Sequence, residues 1–307
     1  MDADSVLRAF TERGVEHVKL NEPLALHTTW RIGGPADVFV NPHTVEELRS
    51  TVSVARQLEI PWTVIGRGSN LLVRDGGIRG LVVQLGDRFG DIRVDGNELT
   101  ALAGRSAVSA ASIAVRNQLA GLEFATGIPG TVGGVVMMNA GAHGGQVSDV
   151  LHWADVMDAT GEVRRLSKTD LQFGYRYSIL KDEPGIVVAA CFSLTPGDAA
   201  ALVEKVKTWS QRRLRTQPLS LPSCGSVFRN PPGTHAGHLI ELAGLKGLQR
   251  GGAQISEKHA NFIVNIGGAT AEDVLWLIAH AQDTVQQLFG ISLETEVRVM
   301  GDAASGR

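Results

Sequence analysis

Val45, Leu48, Val52 and Ala55 recur at the spacing of one helical face, and Thr44-Val-Glu-Glu47 ahead of them reads as a capping box. A helix is therefore predicted from Thr44 to Leu58. The period then changes. Trp62 to Ile65 is a short β-prone run, GRGSN interrupts it, Leu71 to Val73 resumes it, and Arg74 to Gly77 marks a turn before a strand from Leu81 to Leu85. Glu98 to Ala103 predicts a further strand, and Ser106 to Leu119 an alanine-rich helix with Ile113 and Val115 among its apolar positions. Val156 to Asp158 and Glu162 to Leu166 flank Ala159-Thr-Gly161 in a hairpin pattern, and Ile186 to Leu194 is a nearly continuous apolar run suited to a buried strand. This alternation fits small sheets with helices laid on them.

Pro196-Gly197 breaks the pattern, so a domain boundary is placed near Thr195, with Asp198 capping a helix to about Arg215. Pro218, Pro222, Pro231 and Pro232 mark a long irregular region. A strong helix follows from Thr270 to Phe289, capped by Thr270 with Asp273 three residues on and stopped by Gly290. A last strand, Glu296 to Met300, and an unstructured tail, Asp302 to Arg307, end the chain. No internal repeat is found.

At 307 residues and 43% hydrophobic content, two or three packed units are expected. The 29 basic and 32 acidic residues leave a net charge of -3 with no strongly basic segment, which argues against nucleic-acid or membrane-surface partners. MDADSVLRAFTERG lacks the apolar core of a signal peptide. Ile128 to Gly145, the one candidate membrane stretch, carries Pro129, Asn139, His143 and six glycines, and is expected to be a loop system. Cys191 and Cys224 alone exclude a disulfide framework and a multi-cysteine metal site, and favour a reducing cytoplasm.

The candidate chemistry begins in that run. ATGIPGTVGGVVMMNAGAHGG places glycine at 127, 130, 133, 134, 141, 144 and 145, so backbone can approach a ligand, and successive N–H groups can hold a pyrophosphate. Tight turns without a ligand are the plain alternative. Ile65-Gly-Arg-Gly-Ser-Asn70 is a second glycine loop after a strand. Neither matches a P-loop or a Rossmann fingerprint, so a large phosphate-containing cofactor held by loops is expected instead. His235 and His238 lie three apart without a supporting carboxylate or cysteine cluster, so no metal is expected. Met137 and Met138 are expected as core filler, and Cys224 as a passive packed residue with no base placed for it.

Thr29-Trp-Arg-Ile-Gly-Gly34, IGRGSNLL, GIPGTVGG, MNAGA, Tyr175-Arg-Tyr-Ser178, SCGSVFRNP, GGAQISEKHANFIVN and Glu296-Val-Arg298 occur in this order over nearly the whole chain. In these the chain resembles the UDP-N-acetylmuramate dehydrogenase family, also called UDP-N-acetylenolpyruvoylglucosamine reductase or MurB. It resembles the shorter class, which lacks an extra tyrosine-bearing insertion. The resemblance implies an α+β fold: a two-lobed FAD-binding domain of the vanillyl-alcohol-oxidase (PCMH) type plus a C-terminal α+β substrate domain. An N-terminal segment would span 1–32, the FAD domain 33–197 with lobes of about 33–86 and 87–197, and the substrate domain 198–307.

The implied reaction is FAD-mediated, NADPH-dependent reduction of an enolpyruvyl UDP-sugar to UDP-N-acetylmuramate in peptidoglycan precursor synthesis, by a cytoplasmic monomer. The resemblance implies non-covalent FAD contacts at Arg31, Ile65, Gly66, Arg67, Gly68, Ser69, Asn70, Leu71 and Arg298. In the glycine-rich run it implies contacts at Thr126, Gly127, Ile128, Gly130, Thr131, Gly133, Gly134, Asn139, Ala140 and Gly141. Ser226 would deliver a proton to the enol carbon, Arg176 would hold the enolpyruvyl carboxylate, and Glu296 would share a proton in the enol intermediate, a role that needs partial burial. Glu294 competes with Glu296, and strand alternation puts both on one face, but the family pattern places the carboxylate directly before Val-Arg.

Tyr175, Arg215, Gln217 and Asn230 are the implied substrate contacts, with Arg212 and Arg213 as competing partners of the diphosphate; the family often carries lysine near Gln217. No separate NADPH fold is evident, so NADPH and UDP-sugar are expected to use one cavity in turn. Two other readings stand beside this one: a flavin-dependent oxidase of the same fold, and a UDP-sugar binding protein without redox chemistry.

Overall fold

The structure is a computed structural model, and it describes residues 3–304. The chain forms two compact units. The first takes in the chain up to Leu20, Val38–Arg67 and Gly80–Arg212, and the second Asn21–Asp37, Gly68–Arg79 and the chain from Arg213 onward.

The first unit contains a five-stranded sheet and most of a four-stranded one. The four-stranded sheet runs in the order Val18–Pro23, Pro35–Val40, Ile78–Gln84, Trp62–Ile65, with the last two parallel. The helix Val45–Gln57 follows Thr44, whose hydroxyl accepts the Glu47 N–H, as a capping residue should. The reciprocal arm of the expected box differs: the Glu47 carboxylate accepts from His43 N, one residue beyond Thr44.

The five-stranded sheet is antiparallel, in the order Val163–Ser167, Leu151–Met157, Ile186–Ser193, Glu98–Leu102, Ile92–Asp95. Ile186–Ser193 is its centre and is buried up to its last residue, as its unbroken apolar run requires. Asp158 and Gly161, at φ +88°, close the expected hairpin. Ile92–Asp95 was not anticipated, because a short edge strand of alternating exposure carries little apolar signal. Ser106 caps the helix Ala107–Arg116, which stops short of the predicted Leu119.

One expectation is corrected. The glycine-rich run is not loop throughout, because Thr131 starts a short helix, Val132–Met137, with its hydroxyl accepting the Gly134 N–H. Gly133 is an interior helix residue here because a side chain would crowd it: a Cβ would lie 3.0 Å from Ala103 Cβ. Packing thus overrides a weak local propensity.

Glu123 is buried in this unit. Its carboxylate accepts from Gly121 N at 2.6 Å and from Lys205 Nζ at 2.9 Å, the lysine reaching in from the helix Ala199–Thr216. Asp198 caps that helix through Ala201 N, as predicted.

The second unit has its own core around Trp30, Leu72, Phe228, Ile240, Ile263 and Leu277. The helix Ala271–Phe289 has the predicted capping box of Thr270 and Asp273, and Gly290 ends it at φ +67°. Asp75 adds a second cap, accepting from Ala271 N at 2.8 Å and Glu272 N at 3.2 Å. A three-stranded sheet, Gln249–Arg250, Ala253–Ile255 and Ile263–Asn265, packs beside this helix. Leu71–Val73 pairs in parallel with Arg298–Met300, so the final strand begins two residues later than expected. The expected tail also begins later. Asp302 bridges to Gly77, and only residues 305–307 of that tail lie outside the described residues. Among the described residues no helix is long and apolar enough to cross a membrane.

Burial pushes the Glu123 carboxyl up, but the Lys205 ammonium and backbone N–H donors outweigh it and hold the group below its ordinary value. A depressed carboxylate stabilises the fold above its unfolded pKa and loses that contribution as pH falls through the folded one. Acid denaturation monitored by circular dichroism is therefore expected to show a smaller loss of stability, between neutral pH and the carboxylate range, for Glu123→Gln than for the parent protein. Equal slopes would remove this pair from the acid response.

Candidate active site

In the first unit the strand Trp62–Ile65 delivers Gly66 to the start of the helix Val132–Met137. A Cβ on Gly66 would overlap the Thr131 hydroxyl oxygen, so glycine is required at this approach. Gln84 Nε2 donates to Gly66 O at 3.0 Å, which fixes the loop from the neighbouring strand. The helix start is pinned in turn: Ala107 N donates to Gly130 O, Val132 N to Arg105 O and Gly133 N to Ala103 O. The structure therefore brings the two glycine segments together through Gly66 and Thr131, and the Val132, Gly133 and Gly134 N–H groups of this helix start are taken by Arg105 O, Ala103 O and Thr131 Oγ1. Ile65 is buried behind the loop and Arg67 is exposed, 3.9 Å from Asp87.

The rest of the run folds onto itself. The Thr126 hydroxyl donates to Glu123 O, Gly127 abuts the His143 ring, and Gly141–Ala142 pairs with Gly145–Gln146. Ile128 and Ala140 are half-buried against the core. Asn139 is buried, at φ +43°, with every part of its amide engaged: Nδ2 donates to Gly174 O at 2.8 Å and to Gln146 Oε1, and Oδ1 accepts from Ser148 N. In this geometry its side chain is a strut.

What Asn139 holds is the loop that carries Arg176. Ser178 Oγ donates to Met137 O at 2.7 Å, and Arg176 Nη2 donates to Gly141 O at 3.0 Å. Arg176 sits at φ +56°, a left-handed conformation that a non-glycine residue keeps only where its surroundings over-determine it. Tyr175 is exposed, and its ring centroid lies 4.9 Å from the Arg176 guanidinium carbon. Ser178 had no role assigned from sequence. Its signal was a fully buried hydroxyl, which sequence alone does not reveal.

In the second unit, Gly68 at φ +63° packs so tightly on His27 and Thr28 that any Cβ would overlap them. Ser69, Asn70 and Leu71 follow, all half-buried. Asn70 Nδ2 donates to Glu296 O at 3.1 Å, and Arg298 N donates to Asn70 O at 3.0 Å. Arg31 is exposed at φ +56°.

Glu296 and Ser226 are neighbours here. Glu296 N donates to Val227 O at 2.8 Å, Arg229 N donates to Glu294 O, and Phe228 bridges Thr295 between them. Ser226 is half-buried between Gly225, at φ +84°, and the buried Val227. Glu296 is half-buried, whereas the Glu294 side chain is 75% exposed and pairs with Arg229 at 3.4 Å. Neither glutamate lies in a regular strand, so the two are separated by their partners and not by strand alternation.

Asn261 holds this arrangement. Its Oδ1 accepts from Phe228 N at 2.9 Å, its Nδ2 donates to Phe228 O at 2.8 Å, and its backbone carbonyl accepts from Val227 N. The sequence signal was available, since Asn261 is a polar residue inside an apolar run, but nothing in the run names its partner.

The other candidates are dispersed. Gln217 Oε1 accepts from Arg213 Nε at 2.8 Å, Arg213 is half-buried and its guanidinium is pushed down by burial, and Arg215 is exposed. Asn230 Oδ1 accepts from Ala236 N and so caps the helix Ala236–Leu242. His235 and His238 are both exposed. Cys224 is buried and its thiol is pushed far up by that burial, which suits a packing residue.

Asn261→Ala is expected to leave both polar groups of Phe228 without a buried partner and to destabilise the second unit by about 3 kcal/mol, measured by chemical denaturation. A loss within a few tenths of a kcal/mol would show that Asn261 does not hold the Val227–Arg229 segment.

Comparison with known proteins bears on the whole chain. Residues 36–167 match the model of the FAD binding domain, and residues 217–300 match the C-terminal domain of UDP-N-acetylenolpyruvoylglucosamine reductase. A UDP-N-acetylenolpyruvoylglucosamine reductase of Halalkalibacterium halodurans is 50% identical over 94% of this chain and 96% of its own. The protein of that description from Bacillus subtilis is 46% identical over 97% and 99%. The crystal structure of the Thermus caldophilus reductase, 37% identical, superposes with a TM-score of 0.79 over 93% of this chain and 98% of that one. The α+β organisation, an FAD-binding domain followed by a C-terminal domain, holds. With half of its residues shared across almost its full length, the chain belongs to the UDP-N-acetylenolpyruvoylglucosamine reductase family.

Proposed function

We propose that this protein reduces the enolpyruvyl group of UDP-N-acetylglucosamine-enolpyruvate to UDP-N-acetylmuramate, with non-covalent FAD and with NADPH as hydride donor, in peptidoglycan precursor synthesis. The observation that carries this is the 50% identity, over 94% of the chain, to a relative described as this reductase. The residues present fit FAD: Gly66 lies against Thr131 where a Cβ would overlap, so the approach is lined by side-chain-free backbone, and the Thr131 hydroxyl that accepts from Gly134 N has an O–H of its own for an anionic oxygen. Ile65 to Leu71 and Thr126 to Gly141, with Arg31 and Arg298, are the segments we assign to it. Residues 33–197 are assigned to the FAD domain and 198–307 to the substrate domain.

When bound, FAD supplies two-electron hydride transfer from NADPH to the alkene. The chain's own residues handle charge and protons. The planar guanidinium of Arg176 meets the enolpyruvyl carboxylate and stabilises the enolate charge that develops beside it. Clamped by Gly141, it needs little reorganisation to do so. Ser226 Oγ–H gives its proton to the enol carbon, from a half-buried position that follows Gly225 at φ +84°. The Glu296 carboxyl shares a proton with the enol oxygen, a role open to it because Glu294 is committed to Arg229. Tyr175, Arg215, Gln217 and Asn230 are proposed for the UDP-sugar. We place the reaction in the cytoplasm, with a monomer as the working unit and no nucleic-acid or membrane partner.

Purified protein is expected to be yellow and to consume NADPH only with the enolpyruvyl UDP-sugar, with parallel double-reciprocal plots. A protein that binds no flavin would sink the reading, and intersecting plots would count against alternate use of one site. Ser226→Ala is expected to keep flavin reduction by anaerobic NADPH but to slow reoxidation by substrate roughly 100- to 10,000-fold in a stopped-flow spectrum. Normal reoxidation would take the proton-donor role from Ser226.

A further inference from the structure

The five-stranded sheet of the first unit carries a cluster that the reductase reading leaves unused. Glu98, His152 and Cys191 come from its three central strands, Glu98–Leu102, Leu151–Met157 and Ile186–Ser193. One ligand-capable atom from each lies within 4.8 Å of the others. We propose that these three side chains form a binding site for one divalent cation of the zinc class.

The register explains their convergence. Cys191 lies opposite Trp153 on one side and Thr100 on the other. Glu98 is two residues from Thr100, so its side chain shares the face of Cys191. His152 reaches that face through a β-bulge: Leu151 pairs with Phe192 and Trp153 with Cys191, leaving His152 as the extra residue. A bulge re-aims a side chain that regular pleating would direct elsewhere. Here it sets His152 Nδ1 2.7 Å from Glu98 Oε1.

Access and donor chemistry agree with a metal. The His152 and Glu98 side chains are 54% and 46% exposed, so an ion can reach them from solvent, while Cys191 lies buried beneath. Arg165, the cation near the thiol, is held by two hydrogen bonds to Asp155 at 2.8 and 2.9 Å and stacks 3.5 Å over Trp153, which commits its charge elsewhere. Thiolate, imidazole and carboxylate together are a set for zinc and its analogues, whereas magnesium and calcium prefer oxygen. Three protein ligands leave the fourth tetrahedral position to water.

Binding forms a metal–sulfur bond and breaks the Cys191 S–H bond, releasing that proton to solvent. Burial keeps the free thiol protonated, so the ion must drive this loss. His152 Nδ1 lies 2.7 Å from the Glu98 carboxylate, so this hydrogen bond breaks as the ion binds, and the Nδ1 proton passes to Nε2 or to solvent while both groups turn their lone pairs to the metal.

The test uses the flavin-loaded protein, titrated with Zn2+ by calorimetry in two buffers and with Co2+ by visible spectroscopy. Expected are one ion and about one to two protons per chain, from the Cys191 thiol and the His152 ring, and Co2+ bands of tetrahedral thiolate type to the red of the flavin. Cys191→Ser and His152→Ala are each expected to weaken binding by tenfold or more, since even outer partners of metal ligands cost this much. The double variant His235→Ala, His238→Ala is expected to bind like the parent. Flavin absorbance reports folding, and if Cys191→Ser loses it, the exposed His152→Ala decides. Unchanged zinc affinity in the folded variants, or its loss in the His235, His238 double variant, would overturn the site and leave Glu98 and His152 as a hydrogen-bonded surface pair.

Discussion

The approach of Gly66 to Thr131 is the constraint on which the first unit's candidate binding region depends. Two backbones meet where no Cβ fits, and the hydroxyl at the meeting point is the cap of a short helix. That helix contains two adjacent glycines and is too short to persist alone, so its existence rests on the capping bond and on the bonds that Ala103, Arg105 and Ala107 make around it. A residue with a side chain at position 66 would displace the helix start, and with it the following strand of contacts from Met137 to Gly141 that hold the arginine loop.

Buried polar side chains carry that dependence onward. Asn139 and Ser178 tie the Gly174–Ser178 loop to the end of the helix, and Arg176 closes the same loop on Gly141. Arg176 and Asn139 both occupy left-handed backbone, a local cost of order 1–3 kcal/mol each that persists only because several bonds enforce it. In the second unit Asn261 does the equivalent work, satisfying both polar groups of Phe228 in the segment that follows Ser226 and accepts from Glu296 N at Val227. Each arrangement fixes a charged or hydroxyl side chain by way of an amide that does no chemistry itself.

Elements were legible where their signal is local. The helix Ala271–Phe289 announced itself through Thr270, Asp273 and Gly290, three residues whose capping role depends only on their neighbours in the chain. Ile186–Ser193 was legible for a different reason, because only a central strand can bury so long an apolar run. The helix Val132–Met137 was illegible, since glycine costs about 1 kcal/mol per residue in a helix and only tertiary packing reverses that preference. The bulge at His152 was equally hidden, because register shifts belong to strand pairs.

By itself the sequence determined the cast: the glycine runs, the arginine between two tyrosines, the serine after Cys224-Gly225, and the two acidic residues near the end. It also determined the family, since eight motifs in order leave little room for another. The tertiary structure decided which members of the cast meet. Glu294 went to Arg229 and Glu296 to the Ser226 segment, Asn139 became a strut, and Glu98 met His152 and Cys191 across three strands. The reason is physical: capping and periodicity act over a few residues, whereas hydrogen-bond partners and ligand clusters are chosen by chain segments that folding alone brings into register.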